Sequence, residues 1–314
     1  MQFLRNPGPS GNILATVAIG EEFCLEWETN SLPTWLSYCE RHDLGLVVFK
    51  ENLYAEQDSL QKKANWHKLL IGHTLINSPH SSINNICYLD TDILISPLAP
   101  NIFDFHQSDK ISVVSQVHNL PQPLHYTLRR LAFLRHTHLS SRYPLDSALF
   151  MSPADIFKYH GFEPFDDYFC SGVFVFNLRN HSLLLKQWFE KYSKDFHTLT
   201  NGGEEPCFNY EVQSLGTFNL LPYEFQALWT YESAWRYPFI FDTDICNDIL
   251  IRKCIESSLY VNHFLHFAGS WNECQMWKIG KFFASQDTIG ELNAYKDYLS
   301  TKVTGKPKGM IRPD

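Results

Sequence analysis

The sequence predicts an α/β protein with a single domain, in which a mostly parallel central sheet is flanked by helices. Three observations support this prediction. Short apolar runs that are typical of buried strands alternate with segments of helical spacing along the first third of the chain. The 314 residues are 44% apolar, which is enough to fill one sizeable core. No internal repeat or low-complexity linker divides them, so we expect one folded unit.

Composition also limits the partners and the compartment. A formal net charge of -8 and a pI near 5.9 argue against nucleic acid, because phosphate backbones are bound by dense Lys and Arg. Eight cysteines without a C-x-x-C pair indicate reduced thiols. The N-terminus lacks a signal-peptide pattern, and no apolar stretch is long enough to span a membrane. We therefore expect a cytoplasmic protein without a transmembrane segment, and surface association with a membrane stays open.

The first 50 residues predict a strand, helices and a second strand. Residues 12–19 form an apolar run that ends at Gly20, and an acidic helix start follows directly. Residues 31–42 have helical spacing with Pro33 near the start, where proline is tolerated. The apolar run 44–49 then predicts the next strand, so the order is that of a Rossmann-like half.

A third strand predicts where the ligand site lies. Helical spacing over 58–75 is followed by the apolar run 86–89, which ends directly on Asp90. In an open α/β sheet, the carboxyl ends of the strands border the ligand crevice. Asp90 and Asp92 would supply hard oxygen ligands for Mn²⁺ or Mg²⁺ and leave positions for phosphate oxygens. The sequence therefore predicts a cation site at the end of this strand.

The tripeptide Asp-Thr-Asp occurs twice, at 90–92 and at 242–244. About one such pair is expected by chance among 17 aspartates in 314 residues, so the spacing itself decides little. The first pair ends a predicted strand. The second leads into 245–255, whose spacing is helical and where aspartates suit a helix start. We therefore favour the first pair as the cation site.

The second half of the chain contains one clear strand. Residues 168–178 predict a buried strand, and a helix follows as far as Tyr192. Between the two halves, 121–160 has mixed helical patches and several prolines, which predicts an insertion over the sheet that acts as a lid. Residues 301–314 lack periodicity and are expected to form a flexible tail.

Four segments resemble motifs of a known family, and they follow one another along the chain in the same order as in that family. Ile86-Cys-Tyr-Leu-Asp-Thr-Asp-Ile-Leu-Ile95 resembles the Asp-x-Asp strand of GT-A glycosyltransferases and is similar in particular to that of glycosyltransferase family 8. Residues 16–20 resemble the first strand, whose end lies against the nucleotide base. Residues 168–177 resemble the central Asn-x-Gly-Val strand beside the donor sugar. His266-Phe-Ala-Gly269 resembles the late His-x-x-Gly motif, whose histidine is a third metal ligand.

The resemblance implies a metal-dependent hexosyltransferase with a nucleotide-sugar donor, expected to be UDP-linked, and a glycan or other hydroxyl acceptor. A GT-A domain would cover 1–300, with a nucleotide-binding half at 12–100 and an acceptor-side half at 165–280. Mn²⁺ or Mg²⁺ would be held by Asp90, Asp92 and His266. The residues implied at the nucleotide and donor are Ala18, Ile19, Gly20, Lys68, Thr91, Ser171, Gly172 and Gly269.

Three departures from the family pattern affect the catalytic residues. Cys170 or Ser171 stands where the family has Asn, and Ser-Trp-Asn follows Gly269 in place of Lys-Pro. The family's Asp-Gln is replaced by a Gly-rich segment that carries Glu204 and Glu205. If the enzyme inverts configuration, one of these glutamates is a candidate base for the acceptor hydroxyl. If it retains configuration, as the resemblance favours, they would hold the donor's hydroxyls.

Other interpretations compete for these residues. Asp167, with its neighbour Asp166, is the rival catalytic carboxylate. His266 lies in an apolar run, where a histidine is often a satisfied core residue. Lys68 lies on a predicted helix, where a lone lysine is usually solvated. Most aromatics of the Trp-rich second half should be core residues. Tyr237, Trp271 and Trp277 belong to that set with Trp229, Tyr231 and Trp235.

Two other functions compete with glycosyl transfer. A haloacid-dehalogenase-type phosphatase also has Asp-x-Asp after an early strand, but Thr normally follows two residues later, where this chain has Leu94. Hydrolysis of a phosphomonoester without donor binding would favour it. A carbohydrate-binding protein without catalysis would need no nucleotide pocket and would bind no nucleoside diphosphate with Mn²⁺.

Overall fold

The computed structural model describes residues 1–54, 62–76, 82–138, 150–193, 195–200, 202–242 and 244–268. The strands in these ranges are β1 (Gln2–Arg5), β2 (Ile13–Val17), β3 (Gly45–Phe49), β4 (Asn85–Leu89), β5 (Ile93–Ile95), β6 (Ile111–Ser115), β7 (Phe169–Asn177), β8 (Phe218–Leu220), β9 (Ala227–Leu228) and β10 (Phe264–His266). The α-helices are α1 (Glu21–Glu26), α2 (Leu32–His42), α3 (Ile71–Ile76), α4 (Leu124–His138), α5 (Pro153–Tyr159), α6 (Leu178–Lys191), α7 (Glu205–Ser214), α8 (Trp229–Arg236) and α9 (Asp248–Val261).

The central sheet has seven strands in the order β1-β3-β2-β4-β7-β6-β8. Strand β2 pairs in parallel with β3 and β4, and β6 pairs in parallel with β8. Strand β7 is antiparallel to both β4 and β6, and β1 is antiparallel to β3. Therefore β2, β3, β4, β6 and β8 share one direction, while β1 and β7 are reversed. The predicted fold class, a helix-flanked and mostly parallel sheet in one domain, is confirmed.

The predicted strand-helix-strand unit forms at the start of this sheet. A π-helical turn, Trp27–Ser31, joins α1 to α2, so the helical segment continues from β2 almost to β3. Helix α2 ends where Asp43 adopts a left-handed conformation at φ 52°. The backbone N–H of Leu44 then donates to the carbonyl of Cys39 at 2.9 Å, which satisfies one of the free carbonyls of the last turn.

Alternate residues of each central strand pack on opposite faces of the sheet. Ile13 and Ala15 of β2 point to one face, where α3 and α6 lie, while Leu14 points to the other. On that second face, the indole N–H of Trp35 in α2 donates to the carbonyl of Ile93 at 2.8 Å. Both faces are therefore buried, as expected for a sheet with helices on each side.

A second sheet contains three strands in the order β5-β10-β9. Strand β5 begins four residues after the end of β4, and it pairs antiparallel with β10, so that Ile93 faces His266. Strand β9 pairs in parallel with β10 on its other side, with Leu228 facing His266. This small sheet connects the end of β4 with the last strand of the described chain.

Several predicted segments differ in detail from the structure. The helical spacing over 58–75 corresponds to a 3-10 segment, Ala64–Leu70, followed by α3. Strands β1, β5, β6, β8, β9 and β10 have no counterpart among the predicted strands. The segment 121–160 contains α4 and α5, while its residues 139–149 and the tail 301–314 lie outside the described residues. Asp242 and Asp244 do not begin α9, because Asn247 is its N-cap and accepts from the N–H of Leu250.

Two further findings concern the described residues only. No helix among them is long and apolar enough to cross a membrane. The seven cysteines in this part of the chain are all free, and five of them are buried.

The first prediction concerns stability at low pH. His67 is fully buried, and burial lowers its pKa from 6.5 to about 4. The folded protein therefore favours neutral His67, and this contributes about 3 kcal/mol to the free energy of unfolding above pH 6.5. The contribution is lost as the pH falls from 6.5 towards 4. We expect His67→Gln to remove this part of the pH dependence of the free energy of unfolding, measured by urea denaturation. His136→Gln replaces an exposed histidine and is the matched control, and equal profiles for both variants would contradict the prediction.

Candidate functional site

Asp90, Asp92 and His266 meet at the carboxyl edge of the central sheet. One potential ligand atom from each residue lies within 4.8 Å of the others. Asp90 directly follows β4, and Asp92 directly precedes β5. His266 is brought to them by the antiparallel pairing of β10 with β5, and the N–H of Phe267 donates to the carbonyl of Asp92 at 3.1 Å. The structure thus brings together the three residues that the sequence predicts as metal ligands.

The imidazole of His266 faces both carboxylates with one nitrogen. Its Nε2 lies 3.1 Å from Asp92 Oδ1 and 3.8 Å from Asp90 Oδ2. The side chain is 1% exposed, and this burial disfavours the charged form. The charge and the hydrogen bond of Asp92 outweigh the burial and raise the pKa of His266 well above 6.5. His266 is therefore a core residue by burial and a potential ligand by geometry.

Asp90 is held through one carboxylate oxygen only. Its Oδ1 accepts from the hydroxyl of Tyr88 at 2.6 Å and from the ammonium of Lys68 at 3.1 Å. Desolvation opposes ionisation, but the positive charges of Lys68 and His266 lower the pKa of Asp90. The second oxygen, Oδ2, faces His266, so Asp90 presents one fixed and ionised oxygen to the space between the three residues.

Lys68 is buried and is not the solvated lysine of the alternative interpretation. Its Nζ lies 2.9 Å from Glu204 Oε1 and 3.1 Å from Asp90 Oδ1, and only 2% of its side chain is exposed. It also donates to the carbonyl and the hydroxyl of Ser171. Burial would lower the pKa of Lys68, but the two carboxylates raise it well above 10.5. Its predicted contact with the nucleotide stays a prediction.

The two glutamates of the Gly-rich segment lie beside the start of β7. Glu204 Oε1 accepts from the hydroxyl of Ser171 at 2.6 Å in addition to its ion pair with Lys68. Glu205 Oε2 accepts from the backbone N–H of Ser171 at 3.2 Å. Desolvation, followed by the charge of Glu204, raises the pKa of Glu205. Glu204 is thus occupied by internal partners, while Glu205 is the carboxyl with the raised affinity for a proton.

No side chain fits at position 172 unless His266 or Asp90 moves. The carbonyl of Gly172 accepts from the N–H of Asp90 at 2.8 Å, because β7 runs beside the end of β4. An added Cβ would lie 2.2 Å from Cε1 of His266 and 2.9 Å from Oδ2 of Asp90. The absent side chain therefore leaves the room in which the imidazole and the carboxylate face each other.

The remaining predicted site residues lie at the same sheet edge or outside the described chain. Ala18, Ile19 and Gly20 follow β2, and the exposed Gly20 has a left-handed φ of 101°. Thr91 lies between the two aspartates, and its carbonyl accepts from the hydroxyl of Ser31 at 2.7 Å. Gly269 lies outside the described residues.

Asp167 has a different environment from the acidic cluster. Its Oδ1 accepts from the hydroxyl of Ser115 at 2.6 Å and from the N–H of Tyr168 at 2.8 Å, at the end of β6. Desolvation raises the pKa of Asp167, although both hydrogen bonds oppose this shift. Its hydrogen bonds therefore tie it to β6 and to the residue before β7, and its catalytic role stays a prediction.

The sequence prediction missed Tyr88, Cys170 and Gln226. Tyr88 lies two residues before Asp90, so strand alternation alone places both side chains on one face. Cys170 Sγ lies 3.7 Å from Nδ1 of His266 and Gln226 Nε2 lies 3.3 Å from the same atom. Nothing in the local pattern indicates these two contacts. Cys170 reaches His266 from β7 and Gln226 from the residue before β9, so both contacts depend on the pairing of strands far apart in the chain.

The donor set suits a divalent cation. Two carboxylates and one imidazole supply oxygen and nitrogen ligands, and three protein ligands leave positions for other oxygens. Asp90 keeps one oxygen directed at the cluster. Residues Asp90, Asp92 and His266 therefore fit a divalent cation by chemistry and by spacing.

A cleft of about 190 Å³ lies between the loop before α4 and helix α8. Its lining includes the rings of Tyr231 and Trp235 and the ion pair of Glu232 with Arg236. Tyr231 also packs in a small cluster with Cys170 and Leu228, and Cys170 contacts His266. A contiguous set of side chains thus connects this cleft with the metal-ligand cluster.

Two of the four described aromatics in the Trp-rich set are core residues, and two are not. Trp229 is fully buried and Tyr231 is 7% exposed, while Trp235 and Tyr237 are half-buried. Trp271 and Trp277 lie outside the described residues.

Comparison with known proteins adds two structural likenesses. No protein-family model matches the chain, and no curated protein matches it. It is similar to a glycosyltransferase involved in the glycosylation of the major capsid of PBCV-1, with 9% identity and a TM-score of 0.46 over 85% of this chain and 98% of that chain. It is also similar to the bifunctional glycosyltransferase WbbM in its apo form, with 11% identity and a TM-score of 0.49 over 87% of this chain and 52% of that chain. Because both TM-scores are below 0.5, neither likeness by itself assigns an activity.

The second prediction tests the space above Gly172. The Cβ of Gly172→Ala would overlap the imidazole of His266, so either the ring or β7 must move. We expect this variant to lose roughly 1 to 3 kcal/mol of stability and to bind Mn²⁺ at least tenfold more weakly. Thermal unfolding and titration calorimetry with Mn²⁺ measure both effects. Unchanged Mn²⁺ affinity in a folded Gly172→Ala protein would contradict the close packing described above.

Proposed function

We propose that this chain is a glycosyltransferase of the GT-A type, which transfers a hexose from a nucleotide-sugar to a hydroxyl acceptor with the help of a divalent cation. The observation that carries the proposal is the cluster of Asp90, Asp92 and His266 at the carboxyl edge of the sheet. The sequence motifs that resemble glycosyltransferase family 8 contribute these three residues and the adjacent Gly172. A UDP-sugar is the expected donor.

Mn²⁺ or Mg²⁺ held by Asp90, Asp92 and His266 would neutralise the diphosphate that leaves during transfer. The chain's own residues prepare this site. Tyr88 and Lys68 fix Oδ1 of Asp90 and keep that carboxylate ionised, so that its other oxygen stays directed at the cluster. Because these contacts are largely buried, the site needs little rearrangement when a ligand binds.

Glu204 and Glu205 are assigned different roles. Glu204 is neutralised by Lys68 and hydrogen-bonded by Ser171, so we assign it to holding the donor side of the site in position. Glu205 has a raised pKa and is only half-buried, which suits proton transfer with the acceptor hydroxyl if configuration is inverted. If configuration is retained, Glu205 would hold a hydroxyl of the donor sugar. Asp167 remains the rival for either role.

The acceptor is assigned to the cleft lined by Tyr231 and Trp235. Aromatic rings present apolar faces to sugar rings, and the Glu232–Arg236 pair offers hydrogen-bonding groups at the same wall. Tyr231 packs in one small cluster with Leu228 and Cys170, and Cys170 contacts His266, so this wall is connected to the metal-ligand cluster. A glycan is therefore the acceptor class that this cleft favours.

The phosphatase alternative is less compatible with the sequence after Asp92. The threonine that normally follows two residues after the second aspartate is replaced by Leu94, which is fully buried. Oδ1 of Asp90 accepts two hydrogen bonds, and Oδ2 faces His266. A histidine beside this oxygen suits a ligand role for Asp90. A carbohydrate-binding protein without catalysis would not need the buried charge network of Lys68, Asp90 and Glu204 beside the metal-ligand cluster.

The third prediction tests the proposed function directly. Purified protein is incubated with Mn²⁺ and a panel of nucleotide-sugars, and release of nucleoside diphosphate is measured with a panel of glycosides as acceptors. We expect one donor class to be turned over, and Asp92→Ala to reduce the rate by more than a hundredfold because a cation ligand is lost. Asp244→Ala is the matched control from the second Asp-Thr-Asp and should keep most activity. The opposite result would move the site to the later pair.

The fourth prediction concerns the acceptor cleft. Trp235→Ala should raise KM for the glycoside acceptor about tenfold, which is about 1.4 kcal/mol of binding free energy, and should leave hydrolysis of the donor by water nearly unchanged. Phe133→Ala, which removes an exposed ring from α4, is the control. An unchanged acceptor KM in Trp235→Ala would exclude this cleft as the acceptor site.

A further inference from the structure

Gln226 is a buried side chain that faces His266 from the side away from the two aspartates. It directly precedes β9, whose parallel pairing with β10 places Leu228 opposite His266. Gln226 is fully buried, and its Nε2 lies 3.3 Å from Nδ1 of His266. Its Oε1 is buried and has no hydrogen-bond partner among the described residues. The amide is therefore anchored through its contact with the imidazole and not through its oxygen.

A histidine that binds a cation through one nitrogen carries its proton on the other nitrogen. In His266, Nε2 is the nitrogen that faces Asp92 and Asp90, so Nε2 is the nitrogen available to a cation. Nδ1 must then carry the hydrogen, and in a buried position this N–H needs an acceptor. The acceptor has to come from the residues that contact Nδ1.

Among the described residues, Cys170 and Gln226 contact Nδ1, and they differ in strength as acceptors. Cys170 Sγ lies 3.7 Å away, and thiol sulfur is a weak acceptor. Gln226 offers an amide whose oxygen is a strong acceptor and whose nitrogen is a donor. A half-turn of the amide exchanges these two atoms at almost the same positions. Since Oε1 has no partner that holds it in place, no described hydrogen bond at that end opposes the turn.

We propose that Gln226 is a positioning residue for the cation site: its Oε1 accepts from Nδ1–H of His266 and so holds the imidazole in the tautomer and orientation that present Nε2 to the cation. The inference rests on the proposed metal site of Asp90, Asp92 and His266. Gln226 itself does not touch the cation. Hydrogen-bond partners of this kind on metal-binding histidines typically change metal affinity by about 10- to 100-fold when they are removed.

The test measures Mn²⁺ binding to the full chain by titration calorimetry, without any donor or acceptor. Gln226→Met keeps the length of the side chain and removes the amide, and we expect its Mn²⁺ affinity to fall by about 10-fold or more. Gln226→Glu keeps an acceptor and should bind Mn²⁺ at least as tightly as the unmodified protein. This rescue distinguishes positioning through a hydrogen bond from a general packing defect, and it does not depend on enzymatic turnover.

Three further variants make the result decisive. Gln213→Leu removes another buried glutamine, which donates to the carbonyl of Asp167 at 3.0 Å, and should leave Mn²⁺ affinity unchanged. Cys170→Ala should change the affinity less than threefold, because its sulfur is the weaker acceptor. Asp92→Ala should abolish binding and thereby tests the metal site itself.

The outcomes test the metal site and the role of Gln226 separately. Mn²⁺ binding that persists in Asp92→Ala would overturn the proposed metal site. If Asp92→Ala fails to bind while Gln226→Met binds like the unmodified protein, the metal site stands and the role of Gln226 is wrong. A large loss in Cys170→Ala with none in Gln226→Met would assign the acceptor to Cys170 and would also overturn the proposal.

Discussion

The ammonium of Lys68 is the charge on which the site depends. It lies almost without exposure between Asp90 and Glu204, which come from the end of β4 and the start of α7. Breaking a buried pair of this kind costs about 3 to 5 kcal/mol, because the remaining charge is left without compensation. Lys68 therefore joins three distant segments of the chain and also keeps Asp90 ionised. The cluster around His266 is built on that fixed carboxylate.

The reversed direction of β7 gives the site its shape. Because β7 runs antiparallel to β4, its first residues pass beside Asp90, and the carbonyl of Gly172 accepts from the N–H of Asp90. The small sheet of β5, β10 and β9 then closes the other side and supplies His266. Two sheets thus meet at one edge, and the absence of a side chain at Gly172 leaves room for the groups that face each other there.

Two of the three departures from the resembled family are in contact with each other. Ser171 stands near the family's Asn position, and Glu204 lies in the segment that replaces its Asp-Gln. The hydroxyl of Ser171 donates to Oε1 of Glu204 at 2.6 Å, and both contact Lys68. Ser171, Glu204 and the ammonium of Lys68 therefore form one buried network that joins β7 to the residue before α7.

The sequence by itself determined the α/β class, the first parallel strands and the position of Asp90 at a strand end, because these depend on local periodicity and on short apolar runs. It also indicated the metal-ligand set through the resemblance of separated motifs. The tertiary structure alone decided which carboxylates share Lys68, why position 172 has no side chain, and that Gln226 and Cys170 contact His266. Strands of two or three residues carry no readable period, and the partners of a buried charge are chosen by the pairing of strands far apart in the chain. Those contacts therefore exist only once the two sheets have formed.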